Sequence, residues 1–237
     1  MRLLCSSWVV LLPLCNSFSV PHTNGQKNRL VLAAQTEEEY RNAPTKVLSQ
    51  FLSDNDDDKG AEGVAAIDWN APKVKQLPLE TLAQALDAEL YTSEWFVTGK
   101  VNPRYFADTF SFSDPDVKVN GIQEYAMGVN KLFDQKTARA EIISTVVKDE
   151  GTITCTWRLS GKVDIGPGGL NIKPYLVFTD FTVDPSSGLI VLQEDRFDLP
   201  QWDILLSAFV PFLNGKLTAP PAPPVEPRIP PPSMPKI

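Results

Sequence analysis

The sequence predicts an α+β protein whose helices precede, and pack against, an antiparallel sheet of about four to six strands. Two stretches, 78–99 and 121–133, repeat apolar residues at helical spacing. From residue 143 onward the apolar period changes to two, which indicates strands with one buried face. Turns containing Asp and Gly separate these strands, so neighbouring strands are expected to pair as hairpins. The length of 237 residues fits one such domain with extensions.

Residues 1–17 are typical of a secretory signal peptide. Arg2 supplies a minimal positive region, and the apolar run 3–14 is too short to span a bilayer. The small residues that end at Ser17 suit cleavage by a signal peptidase. We therefore predict that this segment is removed and that the protein has no transmembrane segment.

Residues 18–34 are predicted to form a plastid transit peptide. They contain Lys27 and Arg29 but no acidic residue, as is typical of such peptides. Phe18 directly follows the signal peptide, and this arrangement resembles the phenylalanine-first presequences of algae with secondary plastids. The resemblance implies import into a secondary plastid through a signal plus a transit peptide, with the mature protein in the stroma.

Residues 35–76 are predicted to be an acidic and mostly disordered linker. They include the run from Asp54 to Asp58, which cannot bury enough apolar surface to offset the entropy of ordering it. A calcium-binding loop is the alternative, but the spacing lacks the glycine and the terminal glutamate of an EF-hand. The run is therefore interpreted as a solvated linker.

The first helix of the domain is predicted to begin at Pro78 and to end at Gly99. Its apolar positions fall on one stripe: Leu79, Leu82, Ala83, Leu86, Leu90 and Val97. Tyr91 and Trp95 lie one turn apart on a neighbouring face. This pattern indicates a helix that buries one side against the sheet.

The stretch 102–133 combines a helix cap, a strand and a second helix. Asn102 can cap a short helix that Pro103 opens. A strand with alternating Phe and Ser residues follows and stops at Asp114-Pro115, because proline cannot donate to a strand ladder. An amphipathic helix is predicted after Asn120-Gly121. Asp114, at the end of this strand, is thus the candidate catalytic residue of the stretch.

Further strands are predicted at 143–147, 152–159, 175–183 and 189–197. In the third of these, Thr179 shares its face with Val177 and Phe181, so Thr179 is expected to point inward and Asp180 outward. The apolar stretch 201–212 is predicted to be a closing helix. Residues 213–237 are rich in proline and are predicted to be a disordered tail.

Composition excludes several kinds of functional site. The chain has one histidine, His22, which lies in the presequence, and Cys155 is the one cysteine that follows the presequence. The mature chain therefore lacks the residues for a Ser-His-Asp or Cys-His site, histidine-ligated haem or a cysteine zinc site, and we predict no metal and no cofactor. Loss of three presequence cations changes the net charge to −7 − 3 = −10, which disfavours nucleic acid as a partner.

Three short motifs carry a resemblance to a known superfamily. They are Tyr105-Phe106-Ala107-Asp108, Phe112-x-Asp114-Pro115 and Gly121-Ile122-x-x-Tyr125. They resemble the nuclear-transport-factor-two-like superfamily, which includes ketosteroid isomerases and SnoaL-like polyketide cyclases, and most closely its plastid branch of unknown function in plants and algae. The resemblance implies a cystatin-like or SnoaL-like cone: a strongly curved antiparallel sheet packed on N-terminal helices, over residues 77–212.

The resemblance also implies roles for two residues. In ketosteroid isomerases an Asp general base works beside a Tyr and a protonated Asp. Asp114 matches the base in its Asp-Pro motif, and Tyr91 matches the tyrosine on the first helix. The third role is not matched, because a threonine, Thr179, points inward and cannot act as a neutral acid. Two local interpretations stay open, with Asp114 as a turn residue and Tyr91 as a packing residue.

Five side chains are expected to fill the core of the cone or to line its ligand site: Trp95, Tyr125, Trp157, Tyr175 and Thr179. The predicted function is a plastid protein that binds a small apolar molecule or a partner protein in the cone. The alternative is an isomerase or cyclase that uses Asp114 as general base. A filled cone with an apolar outer sheet face would instead indicate a scaffold protein or a homodimer formed through that face.

Overall fold

The computed structural model describes residues 61–115 and 117–228. The predicted signal peptide, the transit peptide and the acidic linker as far as residue 60 lie outside these described residues. Within the two ranges, no helix is long and apolar enough to cross a membrane.

Five α-helices and six strands make up the described chain. The helices are α1 (Ala61–Val64), α2 (Leu79–Ser93), α3 (Trp95–Thr98), α4 (Ile122–Leu132) and α5 (Gln201–Phe209), with 3₁₀ turns at Pro103–Tyr105 and Pro211–Leu213. The strands are β1 (Phe106–Ser113), β2 (Lys118–Asn120), β3 (Arg139–Asp149), β4 (Thr152–Val163), β5 (Leu170–Val183) and β6 (Ile190–Phe197).

The six strands form one curved, unclosed sheet in the order β2-β1-β6-β5-β4-β3, packed against the helices. The predicted α+β cone is therefore confirmed. One pairing differs from the antiparallel prediction, since β1 runs parallel to β6. Parallel neighbours need a long connection, and here α4 and the whole β3–β5 meander separate the two strands along the chain. The alternation pattern missed β2 because three residues are too short to show a period.

The predicted helix 78–99 is interrupted at Glu94. The backbone of Glu94 is in the left-handed region (φ 49°), so α2 ends there and the short α3 begins. The Glu94 carboxylate accepts the backbone N–H of Ala140 on β3 at 2.9 Å and pairs with Arg139, so the break is fixed against the sheet. Gly99 ends α3 at φ 71°, where a Cβ would lie 2.3 Å from the carbonyl oxygen of Ala126.

Aromatic rings fill much of the space between the helices and the sheet. Trp95, Phe96, Phe106 and Phe181 are all nearly inaccessible to solvent. Phe96 stacks on Trp157 with ring centroids 4.6 Å apart, and Trp95 packs on Phe181 at 5.9 Å. This part of the cone is therefore a packed core, which large aromatic residues stabilise through burial and edge or stacked contacts.

The outer face of the sheet is polar where β4, β5 and β6 meet. Asp180 points outward, as predicted, and its carboxylate accepts hydrogen bonds from Thr154 at 2.6 Å and Arg196 at 2.9 Å. Lys148 completes this group at 3.5 Å. The apolar outer face that would indicate a homodimer is absent from this central part of the described sheet.

The prediction that the proline-rich tail is unpacked is wrong as far as Arg228. The Ala222 N–H donates to the Pro174 carbonyl at 2.8 Å, and the Ala222 carbonyl accepts from Arg158 at 3.1 Å. Arg228 forms two hydrogen bonds with Asp87 on α2. Proline-rich backbone makes no internal hydrogen bonds, so its free carbonyls and its few polar groups are available to the domain surface.

Candidate functional site

Asp114 closes a turn directly after β1. Its backbone N–H donates to the Val117 carbonyl at 2.9 Å, and its Oδ1 accepts the Val117 N–H at 2.6 Å. An aspartate before proline commonly bonds its own neighbouring backbone in this way. The role of Asp114 as a turn residue therefore accounts for one of its carboxylate oxygens. Its role as a catalytic base stays a prediction.

Tyr91 contacts the C-terminal segment of the chain. Its hydroxyl donates to the backbone carbonyl of Arg228 at 2.9 Å, and the Arg228 guanidinium lies over its ring at 5.2 Å. These contacts occupy the hydroxyl that the resemblance would assign to an oxyanion. In the structure Tyr91 thus serves to hold the tail against α2.

The five residues expected in the core or the ligand site are all buried: Trp95, Tyr125, Trp157, Tyr175 and Thr179. Trp95 and Trp157 belong to the ring-packed core described above. The structure brings Trp157 and Thr179 together, because the indole N–H donates to the Thr179 hydroxyl at 2.9 Å. It places Tyr125 nearby, within hydrogen-bond distance of Gln193 on β6.

These contacts converge on the carboxylate of Asp195, which is not among the site residues predicted from the sequence. Thr179 and Asp195 are register partners on β5 and β6, and the Thr179 hydroxyl donates to Asp195 Oδ1 at 2.7 Å. Gln193 Nε2 lies 3.4 Å from the same oxygen and 3.0 Å from the Tyr125 hydroxyl. We call Tyr125, Trp157, Thr179, Gln193 and Asp195 the Asp195 cluster.

The environment of Asp195 favours the protonated acid. Burial of the carboxyl raises its pKa to about 7, against the lowering effect of the hydrogen bonds from Thr179 and Gln193. The negative charges of Asp114 and Asp180 raise the pKa further. The residue as a whole is half-buried, and burial of its carboxyl is the main cause of the raised pKa.

Two phenols respond to the same charges. Burial raises the pKa of Tyr125 well above its usual value, and the charges of Asp195 and Asp114 add to this effect. The pKa of Tyr175 is raised by burial and by the same two carboxylates. Both rings therefore stay neutral at physiological pH and keep their hydroxyl protons as hydrogen-bond donors.

One buried acceptor of the cluster lacks a partner among the described residues. Gln193 is fully buried, yet its Oε1 accepts no hydrogen bond there. The indole N–H of Trp95 is in the same condition. Buried polar atoms are almost always satisfied in folded proteins, so these two atoms are exceptions among the described residues.

The sequence contains a signal for this site in the alternation along β6. On β6, Gln193, Asp195 and Phe197 alternate with exposed residues, so two polar side chains occupy inward positions. An inward carboxylate in an otherwise apolar face is the pattern that marks a buried titratable group. In the described ranges, no cluster of three or more His, Cys, Asp or Glu residues could hold a metal ion.

No family model matches the sequence, and no curated protein matches it. Among solved structures, the chain is similar to a candidate SnoaL-like polyketide cyclase from Jannaschia sp. CCS1, at 17% identity and a TM-score of 0.42, covering 56% of this chain and 94% of that one. It is also similar to an NTF2-like protein of unknown function from Cytophaga hutchinsonii, at 12% identity and a TM-score of 0.34, covering 52% and 92%. A third similar structure is a hypothetical protein with a ketosteroid isomerase-like fold from Catenulispora acidiphila. Its identity is 12% and its TM-score 0.36, and the match covers 56% of this chain and 93% of that one. At these values the similarity concerns architecture alone.

Proposed function

We propose that the chain binds a small, largely apolar molecule at the Asp195 cluster and that Asp195 exchanges a proton with it. The observation that carries this proposal is the inward Asp195 carboxyl, whose burial raises its pKa to about 7. A group with this pKa is present in both acid and base forms at neutral pH, which suits general acid–base chemistry. The ligand therefore carries a carbonyl or hydroxyl group beside its apolar body.

The hydrogen bonds within the cluster support a defined orientation for the ligand. The bonds described from Thr179 and Gln193 both reach Oδ1 of Asp195, so Oδ2 is the oxygen that faces the ligand. Trp157 holds the Thr179 hydroxyl from behind, which fixes the carboxyl group. Aromatic contacts of Tyr125 with Phe112 and of Tyr175 with Phe197 supply the apolar surroundings.

Asp195 fits the role of proton-transfer group better than Asp114. Asp114 bonds the backbone of its own turn, whereas Asp195 is held by side chains inside the cone. The charge of Asp114 nevertheless raises the pKa of Asp195, so Asp114 tunes the acid instead of acting on the ligand. An isomerase or cyclase activity, if present, would thus depend on Asp195 for the proton.

A direct test uses an aromatic alcohol as probe. We expect 2-naphthol to bind the wild-type chain saturably, and Asp195→Asn to weaken binding about tenfold or more, since a charge-assisted hydrogen bond is worth about 1.5 to 3 kcal/mol. Fluorescence titration across the neutral pH range measures both the affinity and its pH dependence. Asp184→Asn, in the turn between β5 and β6, is the control and should bind like wild type, because Asp184 is not among the charges that raise the pKa of Asp195. Equal affinity of the Asp195→Asn variant would overturn the proposal.

We also propose that the protein acts in a plastid. The motivation is the predicted signal peptide, followed by Phe18 and the acid-free stretch to residue 34. A fluorescent protein fused to residues 1–34 should enter the plastid of an alga with a secondary plastid. The same fusion with Phe18→Ala should stay outside, and import of that variant would contradict the assignment of the motif.

A further inference from the structure

The guanidinium of Arg228 lies in a site built by α2. Its Nη1 and Nη2 donate to the two oxygens of Asp87 at 3.0 and 2.8 Å. The ring of Tyr91, one turn along α2, lies under the guanidinium at 5.2 Å, and its hydroxyl binds the Arg228 carbonyl. A fork-shaped pair of hydrogen bonds plus an aromatic face is a geometry that selects arginine over lysine.

The carboxylate of this site needs a cation. The Asp87 side chain is 12% exposed, and among the described residues its ion pair is made with Arg228, which lies 141 positions away in the chain. A buried carboxylate without a partner is strongly unfavourable, so the site retains affinity for a guanidinium when Arg228 leaves. The domain thus supplies a receptor, and the tail supplies its occupant.

The tail follows the domain surface with a period of three residues. In 219–228, the partly buried positions are Ala219, Ala222, Val225 and Arg228, and the residues between them are exposed. A polyproline II helix has three residues per turn, so one edge of such a helix faces the domain throughout. Arg158 and Pro174 hold the backbone of this edge at Ala222.

We propose that this surface is a groove for extended, proline-rich segments that carry an arginine, and that the chain's own residues 219–228 occupy it in the present structure. We call those residues the strap. When the strap is displaced, the groove accepts an equivalent segment from a partner protein, with small residues at each third position and the arginine on Asp87 and Tyr91. This proposal does not depend on the Asp195 cluster.

The strap is suited to exchange. Most of its side chains are exposed, and the buried Nε of Arg228 has no acceptor among the described residues, so the strap is held at separate points along one edge. Because it is tethered, its effective concentration is about millimolar, and a partner segment must outcompete this to bind. A substitution in the strap should therefore open the groove to a segment supplied from outside.

The first experiment measures binding of a segment in trans. The full-length Arg228→Ala protein is titrated with a fluorescent peptide that copies residues 219–232. We expect saturable binding to this variant at least about tenfold tighter than to wild type, whose groove is occupied. A peptide with lysine in place of its arginine should lose about tenfold or more in affinity. Failure of the peptide to bind the folded variant would overturn the proposal, and so would equal binding of the lysine peptide.

A second experiment needs no peptide. Trypsin can cleave after Arg228 only when the side chain leaves Asp87, whereas Lys216 is exposed and serves as an internal reference. In full-length protein, Asp87→Asn or the milder Tyr91→Phe should speed cleavage after Arg228 by about tenfold relative to cleavage after Lys216. Equal relative rates in wild type and both variants would show that Arg228 does not occupy the site.

Discussion

At the scale of single residues, Asp195 is expected to make the protein less stable as the pH rises from about 4 to about 7. Burial raises the pKa of this carboxyl to about 7 in the folded chain, whereas an aspartate in an unfolded chain titrates at about 3.9. Below that window both states hold the proton. Within it the folded state keeps a proton that the unfolded state releases, so the contribution to the free energy of unfolding falls with rising pH.

Urea unfolding of wild type and Asp195→Asn over this pH range measures the effect. Asparagine does not titrate, so the difference in stability between the two proteins should shift in favour of the variant toward pH 7. Asp184 is the control. Hydrogen bonds from Ser186 and Ser187 lower its pKa to about 2, so the stability difference between wild type and Asp184→Asn should show no such trend in the window. A constant difference between wild type and Asp195→Asn would contradict the assignment of the raised pKa.

Residues whose role depends on local sequence were predictable from the sequence. The inward Thr179, the outward Asp180 and the turn at Asp114 follow from alternation and from the Asp-Pro pair. Asp195 was not found, because its pKa depends on its pairing with Thr179 across the sheet and on the charge of Asp114 from another strand end. Both contacts require the register and the parallel β1–β6 pair, which no local pattern encodes.

At the scale of secondary structure, α5 is a helix with its polar side buried. Asp203 and Ser207 are each 2% exposed, whereas Trp202, Leu205 and Phe209 are exposed. The sequence predicts this helix, but an apolar stripe at helical spacing normally marks the buried face, and here that stripe is exposed. The inward side is set by Lys173 on β5, thirty positions earlier, which forms a buried ion pair with Asp203.

The ion pair between Lys173 and Asp203 is expected to be essential for docking α5. Asp203 also accepts the Ala219 N–H at 2.7 Å, and Lys173 donates to the Ala219 carbonyl at 2.9 Å, so the pair joins α5, β5 and the start of the strap. Asp203→Ala leaves a buried ammonium without its counter-charge and should destabilise the protein by about 3 to 5 kcal/mol. Thermal and urea unfolding provide the measurement.

A double variant distinguishes the charge from the packing in this prediction. Lys173→Met combined with Asp203→Leu removes both charges and keeps similar volume, so its stability should lie within about 1 to 2 kcal/mol of wild type. If Asp203→Ala alone were as stable as wild type, the pair would not hold α5. If the double variant were as unstable as the single one, lost packing and not the unpaired charge would be the cause.

At the scale of the whole molecule, the order of helices and strands was predictable, whereas the edges of the folded unit were not. Periodicity located α2, α4 and the four strands from β3 to β6. It could not show that Ile67 and Trp69, in the predicted linker, pack against the core. Nor could it show that the strap binds α2, because a proline-rich composition describes an extended backbone without stating what that backbone touches.

These contacts predict that the folded unit is larger than residues 77–212. A fragment of residues 61–228 keeps the Trp69 segment and the strap, whereas 77–212 exposes apolar surface at one end and leaves Asp87 without Arg228 at the other. We expect both fragments to unfold cooperatively, with the shorter one less stable by about 3 kcal/mol or more, because an unpaired buried charge alone costs that much. For a domain of this size the melting temperature should fall by about 6 to 12 °C.

Calorimetry of the two fragments, and of the 61–228 fragment with Arg228→Ala, separates the two contributions. The Arg228→Ala variant loses the ion pair with Asp87 but keeps the Trp69 segment. Identical melting temperatures for 61–228 and 77–212 would show that the added segments contribute nothing to the fold.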